Sequence, residues 1–426
     1  MPGLRQGRRL LAAVAVAAAG LVACTGGGDA SAATMTVAPD TALIDQPVTV
    51  SVRGLPAGAR TTVTARATDY RGTTWSDSAD FEATPAGEVS LDQVPVGGSY
   101  TGAHPMGLFQ FLTPPSGSPD TTFRSPERGY DLTLQATVDG KVVATGTAHR
   151  QSPAAVGVVA KDLRPADAGV YGTLYLPRDT SVRRAAVLVF GGSEGGLVVT
   201  PFTAALLAAH GHPSLALAYF KAPGLPGTLT AIPLEYFAKA LTLLRAQPGV
   251  DPRRVSVMGA SRGGEAALLL GSSFPSLVNG VVAQVPAAYV NSAIPDSGRS
   301  AWTLRGRELP YAPAAKFGSP AAAVDTRALI PVERIRGPVV LTCGELDLAW
   351  PSCSNVEDVT RRLSARHFPY PVTTLRYPDG GHYVGAIPPY VSITDDLLTT
   401  GGGTVAGTQA ASAEIHSKLL ALLAGR

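Results

Sequence analysis

Val255-Ser256-Val257-Met258-Gly259-Ala260-Ser261-Arg262-Gly263-Gly264-Glu265-Ala266-Ala267-Leu268-Leu269-Leu270 is the stretch on which the fold turns. Val255–Met258 reads as a short buried strand. Glu265–Leu270 reads as the start of an Ala/Leu-rich helix. Between them Gly259-Ala260-Ser261-Arg262-Gly263 spells G-x-S-x-G. A strand that turns sharply into a helix lifts the serine hydroxyl out of the backbone at the top of a sheet. Glycines flank it because side chains there would clash in so tight a turn. Ser261 is therefore the expected nucleophile.

Gly191-Gly192-Ser193-Glu194-Gly195 also fits the pattern, after the strand-like Ala185–Phe190. No helical pattern begins directly behind it. Gly196 prolongs the loop, and Pro201 suits the first turn of the next helix. A glycine-rich loop after an early strand is where oxyanion donors are placed in such folds. Ser193 is thus the rival nucleophile, and its loop the expected source of backbone amides.

Outward from this point, residues 154–426 alternate strands with helices, which implies a mostly parallel sheet flanked by helices. Strands are expected at 172–176, 186–190, 215–219, 255–258, 281–285, 339–342 and 373–377. Helices are expected near 201–210, 232–247, 262–274, 354–366 and 408–424. Residues 289–331 are Pro-, Arg- and Ala-rich, interrupt the alternation and suggest an insertion over the site. Thr399–Gly403 reads as a flexible loop. Residues 34–153 read as all-β: 48–52, 62–66 and 132–138 alternate with period two. Asp139-Gly140 marks a hairpin turn, and the regular spacing suggests a β-sandwich. Asp69, Asp77 and Asp80 read there as solvated surface.

The 426 residues suit two domains. Hydrophobic content of 45% with 16% charged residues indicates a globular chain. A net charge of +3 gives no reason to expect nucleic acid as a partner. Residues 1–24 read as an export signal. Arg5, Arg8 and Arg9 precede an apolar run that is short for a membrane span. The run ends in Leu21-Val22-Ala23-Cys24, which looks like a bacterial lipobox. Cys24 would carry lipid, 25–33 would be a tether, and the protein would sit on the outer face of the cell membrane. An ordinary signal peptide with a chance cysteine is the plainer alternative. Of the three cysteines, Cys343 and Cys353 remain as a possible disulfide, in an oxidising compartment. Two buried free thiols are the alternative.

A nucleophilic serine needs a base, and the base an orienting carboxylate. In α/β-hydrolases they follow in the order Ser, Asp or Glu, His. Of His367, His382 and His416, only His382 lies in a loop directly after the last expected strand. His416 is expected exposed on the terminal helix. Asp347 follows strand 339–342 and can reach His382; Glu345 and Asp379 are alternatives. The oxyanion donors are expected to be the amides of Arg262 and of Gly192, with Ser193 second to Gly192. The side chains of Glu194 and Arg262 are given no chemical role. No metal site or cofactor is expected. His210 and His212, two residues apart, cannot share a helix face and read as turn residues.

Read together, these motifs resemble the acyl-CoA thioesterase and bile acid-CoA:amino acid N-acyltransferase family. The first half matches in Val50–Leu55, Gly97–Tyr100 and Pro105–Leu108. The second matches in Leu217–Phe220, Leu234–Phe237, Gly259–Glu265, Ile330–Arg334, Gly344–Asp347 with Trp350, and Gly381–Tyr383. The resemblance implies an immunoglobulin-like β-sandwich before an α/β-hydrolase domain, with a triad of Ser261, Asp347 and His382. Serine, where the bile acid-conjugating members carry cysteine, implies hydrolysis of an acyl thioester to free acid and thiol. The substrate expected is a small-molecule acyl thioester, most directly acyl-CoA. An exported esterase or acyltransferase working on envelope or extracellular acyl groups is the alternative. CoA phosphates would want cations; Arg299, Arg305, Arg307, Arg327, Arg334 and Arg336 lie in or beside the insertion, where ordinary solvated charge is the simpler reading.

Overall fold

The computed structural model describes residues 32–312 and 325–425. The export signal, Cys24 and the tether up to residue 31 lie outside them, as do residues 313–324 of the expected insertion. Among the described residues no helix is long and apolar enough to cross a membrane.

The first part is all-β. Thr34–Ala38, Thr49–Arg53 and Glu88–Ser90 form a three-stranded antiparallel sheet. A six-stranded sheet is built around Gly129–Val138, Lys141–Gln151, Arg60–Thr68 and Thr74–Glu82. Strict alternation along Arg60–Thr68 sends Val63, Ala65 and Ala67 inward, as a pleat with one dry face requires. Trp75, Phe81, Leu132 and Leu134 meet them there, fully buried. Asp139 and Gly140 both take positive φ, 47° and 74°, which is what a two-residue hairpin with matched twist needs. Asp69 and Asp77 are not surface groups. Asp69 is 4% exposed and accepts Trp75 Nε1 at 3.1 Å; Asp77 is 7% exposed.

The second part is built on one eight-stranded sheet. Its strands are β1 (Val159–Leu163), β2 (Tyr171–Leu176), β3 (Arg184–Phe190), β4 (Ser214–Ala218), β5 (Val250–Ala260), β6 (Gly280–Gln284), β7 (Val339–Gly344) and β8 (Val372–Tyr377), in spatial order β1-β2-β4-β3-β5-β6-β7-β8. β2 runs antiparallel to both its neighbours, and β3 to β8 are parallel. The main helices are α1 (Thr200–Ala209), α2 (Leu234–Arg245), α3 (Arg262–Ser273), α4 (Ser352–Ala365) and α5 (Val405–Ala424). The central strands are buried along their whole length, hence their uninterrupted apolar runs. The edge strand β1 escapes a sequence reading, because Val159-Ala160-Lys161-Asp162 is exposed and carries no apolar periodicity.

The two parts meet through backbone and side-chain bonds. Ser392 Oγ donates to the Phe109 carbonyl at 2.8 Å. Phe123 N–H donates to the Ser392 carbonyl at 2.9 Å, and Thr394 N–H to the Thr121 carbonyl at 3.0 Å. The parallel strands all end on the side where β5 turns into α3, which is where open α/β sheets hold ligands.

Candidate active site

Ser261 has φ 58° and ψ −121°. A non-glycine residue pays for such a conformation, and it persists only where the surroundings enforce it. Here Ser261 N–H donates to the Gln284 carbonyl of β6 at 2.9 Å. The glycine after it allows the turn to close: a Cβ on Gly263 would stand 2.4 Å from the Gly191 carbonyl oxygen. The hydroxyl is thereby presented at the head of α3.

His382 Nδ1 donates to Asp347, with the two carboxylate oxygens at 3.0 and 2.9 Å. The Asp347 side chain is 1% exposed and is held by the amides of Ala349 at 2.9 Å and Trp350 at 3.2 Å. The edge of Trp350 meets the imidazole at a centroid distance of 5.6 Å. The alternatives fall elsewhere. Glu345 pairs with Arg376 at 2.7 Å, and the Asp379 carbonyl accepts the Thr404 N–H. A disulfide joins Cys343 to Cys353 and closes the loop that carries Asp347. The Thr399–Gly403 segment, read from sequence as flexible, is part of the scaffold. The Gly401 carbonyl accepts His382 N–H at 2.8 Å and Leu348 N–H at 3.2 Å, and so ties the histidine loop to the aspartate loop.

Ser261 and His382 line one cavity of about 1110 Å³. Its lining is mostly apolar and includes Phe202, Val198 and Ile387. The all-β part supplies Ile44, Phe123 and Tyr130. None of the six arginines in or near the insertion lines it, whereas Arg124 does. Burial pushes the Tyr130 phenol above its ordinary range, against the opposing effect of Arg150.

Two expectations need correction. Gly192 lies against Ser261, since a Cβ there would be 3.0 Å from Ser261 Cβ. Its N–H, however, donates to Glu194 Oε1 at 2.9 Å. The preferred oxyanion donor is therefore occupied by a carboxylate from its own loop. Ser193 is exposed on the cavity wall. Arg262 is no loop charge: its side chain is 1% exposed and its Nε lies 2.9 Å from Glu265 Oε2, itself fully buried. Glu265 also accepts Asn291 N–H at 2.9 Å and Trp302 Nε1 at 2.7 Å. The described part of the 289–331 segment is thus anchored on α3 and reaches the cavity through Ile294.

The histidines divide differently from the sequence reading. His212 is a buried turn residue whose Nδ1 lies 3.0 Å from the Ala185 carbonyl. His210 and His416 converge on Asp45 of the all-β part. No spacing rule could have joined three residues so far apart in the chain.

The acyl-CoA thioester hydrolase/BAAT N-terminal region matches residues 45–160, and the BAAT/acyl-CoA thioester hydrolase C-terminal region matches 232–401. Acyl-coenzyme A thioesterase 2, mitochondrial, of Homo sapiens is 31% identical over 360 residues, spanning 81% of this chain and 73% of that one. The chain belongs to the acyl-CoA thioester hydrolase/BAAT family. Acyl-coenzyme A amino acid N-acyltransferase 1 of Mus musculus, 29% identical over 367 residues, covers 83% of this family member and 86% of its own length. Among solved structures, a putative dienelactone hydrolase from Klebsiella pneumoniae aligns with TM-score 0.45 at 15% identity, over 63% of this chain and 100% of that one. As a member of the thioester hydrolase/BAAT family, the protein is an enzyme of the thioester-hydrolase type.

Proposed function

We propose that the protein hydrolyses acyl thioesters, acyl-CoA first among them, through an acyl-enzyme on Ser261. The observation that carries this reading is that His382, held by Asp347, lines the same large apolar cavity as a serine on a strained turn. His382 Nε2 takes the Ser261 proton as Oγ attacks the carbonyl carbon. Asp347 holds the Nδ1–H tautomer and stabilises the imidazolium. The amides of Ser193 and Arg262 receive the oxyanion; one such donor contributes roughly 3–4 kcal/mol to the barrier. Collapse breaks the C–S bond, and His382 returns the proton to the leaving thiolate. Water, deprotonated by His382, then attacks the ester carbonyl; the C–O bond to Ser261 breaks, His382 returns the proton to Ser261 Oγ, and the acid leaves. The substrate complex must bring Ser261 Oγ within hydrogen-bond reach of Nε2.

The all-β part is read as an immunoglobulin-like sandwich, supported by its two sheets and its family match. The protein is further read as exported and anchored through Cys24 to the outer face of the bacterial membrane. The Cys343–Cys353 bridge supports this, since disulfides persist in oxidising compartments. The same observation favours a second reading, in which the thioester or ester comes from envelope or extracellular acyl groups and not from CoA.

The test is thiol release from an acyl-CoA series, with an aryl ester alongside and Ser261→Ala as control. Serine-dependent thiol release with a chain-length optimum supports the first reading. Ester cleavage without thioester cleavage supports the second. Turnover unchanged in Ser261→Ala removes Ser261 from the mechanism.

A further inference from the structure

Away from the catalytic cavity, three segments distant in the chain bring donor atoms to one point. Asp45 follows the Thr41–Leu43 strand of the all-β part, His210 ends α1, and His416 lies on α5. Nε2 of His210 is 2.7 Å from Asp45 Oδ2, and Nε2 of His416 is 2.8 Å from the same oxygen. One ligand atom from each residue falls within 4.8 Å of the others. The Asp45 side chain is 0% exposed, and its second oxygen, Oδ1, has no hydrogen-bond partner among the described residues. A buried carboxylate oxygen with no partner is costly, and such groups call for a physical account.

We propose that Asp45, His210 and His416 form a binding site for a divalent transition ion of the zinc class, which ties the all-β part to the hydrolase part. Two imidazole nitrogens and a carboxylate are the donor set such ions take. Around a tetrahedral ion the donors stand roughly 3.3 Å apart, as bond lengths near 2.0–2.1 Å require. Opening the present contacts by about half an ångström reaches that spacing. Each imidazole then offers its Nε2 lone pair and carries its proton on Nδ1. The histidine side chains retain 19% and 11% exposure, and the unpartnered Oδ1 offers a fourth donor. Arg150 braces the carboxylate: its Nη2 donates to the Ile44 and Gln46 carbonyls on either side of it. Its charge also opposes a second cation, so binding is weaker than at a closed four-ligand site.

The test uses the full chain without a histidine tag, stripped with a chelator and titrated with Zn²⁺ by calorimetry, then with Co²⁺ by visible absorption. One equivalent of saturable Zn²⁺ binding is expected, with a melting temperature that rises as free Zn²⁺ rises. Bound Co²⁺ is expected to show the intense bands of four-coordinate geometry. His416→Gln keeps a hydrogen-bond donor for Asp45 but lacks the imidazole; it is expected to lose at least tenfold in affinity, as is His210→Gln. Labelling of Ser261 by a fluorophosphonate reports that each variant is folded. No saturable binding by the unaltered chain, binding unchanged in both folded glutamine variants, or a Co²⁺ spectrum that stays that of the hydrated ion each overturns the proposal.

Discussion

Glu265→Gln tests whether the helix behind the nucleophile is held by charge. The carboxylate is fully buried and meets Asn291 N–H at 2.9 Å, Asn291 Nδ2 at 3.0 Å, Trp302 Nε1 at 2.7 Å and Arg262 Nε at 2.9 Å. Every neighbour is a donor. An amide keeps one acceptor oxygen and turns the other position into a donor facing donors. Arg262, 1% exposed, would keep only the carbonyls of Ser292 and Asn291 and become a buried cation without a counter-charge. Breaking one side of such a pair costs about 3–5 kcal/mol. At about 2–4 °C per kcal/mol for a domain of this size class, the melting temperature should fall by roughly 6–20 °C. Thermal unfolding followed by circular dichroism and tryptophan fluorescence measures it. Because the Arg262 amide is a proposed oxyanion donor, kcat should fall more than KM rises. The double variant Arg262→Met/Glu265→Leu removes both charges and should recover much of the lost stability. A Glu265→Gln protein melting within about 1 °C of the parent, the range of an ordinary surface change, would refute the reasoning.

Asp347→Asn should lower kcat on the order of 10³–10⁴-fold with little change in fold, because the histidine loses its orienting acceptor; steady-state kinetics against an unchanged melting curve checks this. Asp77 is pushed up to about 6 by burial, against hydrogen bonds from Ser99 and Ser78. The unfolded carboxyl ionises near pH 4, so its stability contribution is full below about pH 4 and is lost as pH rises through about 6. Asp77→Asn should therefore stabilise the protein by about 3 kcal/mol above pH 7 and by nothing near pH 4; equal gains at both pH values would contradict it. Reducing Cys343–Cys353, whose sequence separation is 10, should remove about 2–3 kcal/mol and lower activity through the Asp347 loop; melting with and without reductant decides. Ile294→Trp narrows the cavity from a half-exposed position and should reduce turnover of long acyl chains before short ones, read from a chain-length series.

The seven strands from Tyr171 to Tyr377 were legible because buried parallel strands are continuous apolar runs with turn residues between them. Ser261, His382 and Asp347 were legible because each sits directly after such a strand, in an order the fold imposes. What escaped is whatever depends on contacts between distant segments. Glu194 closing on the Gly192 amide, the glycines at 401–403 clamping His382, and Arg262 buried against Glu265 all involve residue types that usually signify solvent or flexibility. Asp45, His210 and His416 lie in three segments that no local pattern connects.

The cavity shows why the all-β part is more than an appendage. The wall facing Ser261 is partly Ile44, Phe123 and Tyr130, and Phe123 itself packs edge-on against Trp75 in the β core at 5.7 Å. The cavity proposed to take the acyl group therefore rests on both hydrophobic cores at once. Removing the first part would leave Ser261, Asp347 and His382 in place but expose one face of the cavity to water. An apolar chain bound there would lose burial worth about 0.8 kcal/mol for each methylene left uncovered. On the proposed mechanism, covering a long acyl group would thus depend on the junction that includes Asp45, His210, His416 and the Ser392–Phe109 bond, whereas the geometry around Ser261 is set within the second part, by β5, α3 and the loops that carry Asp347 and His382.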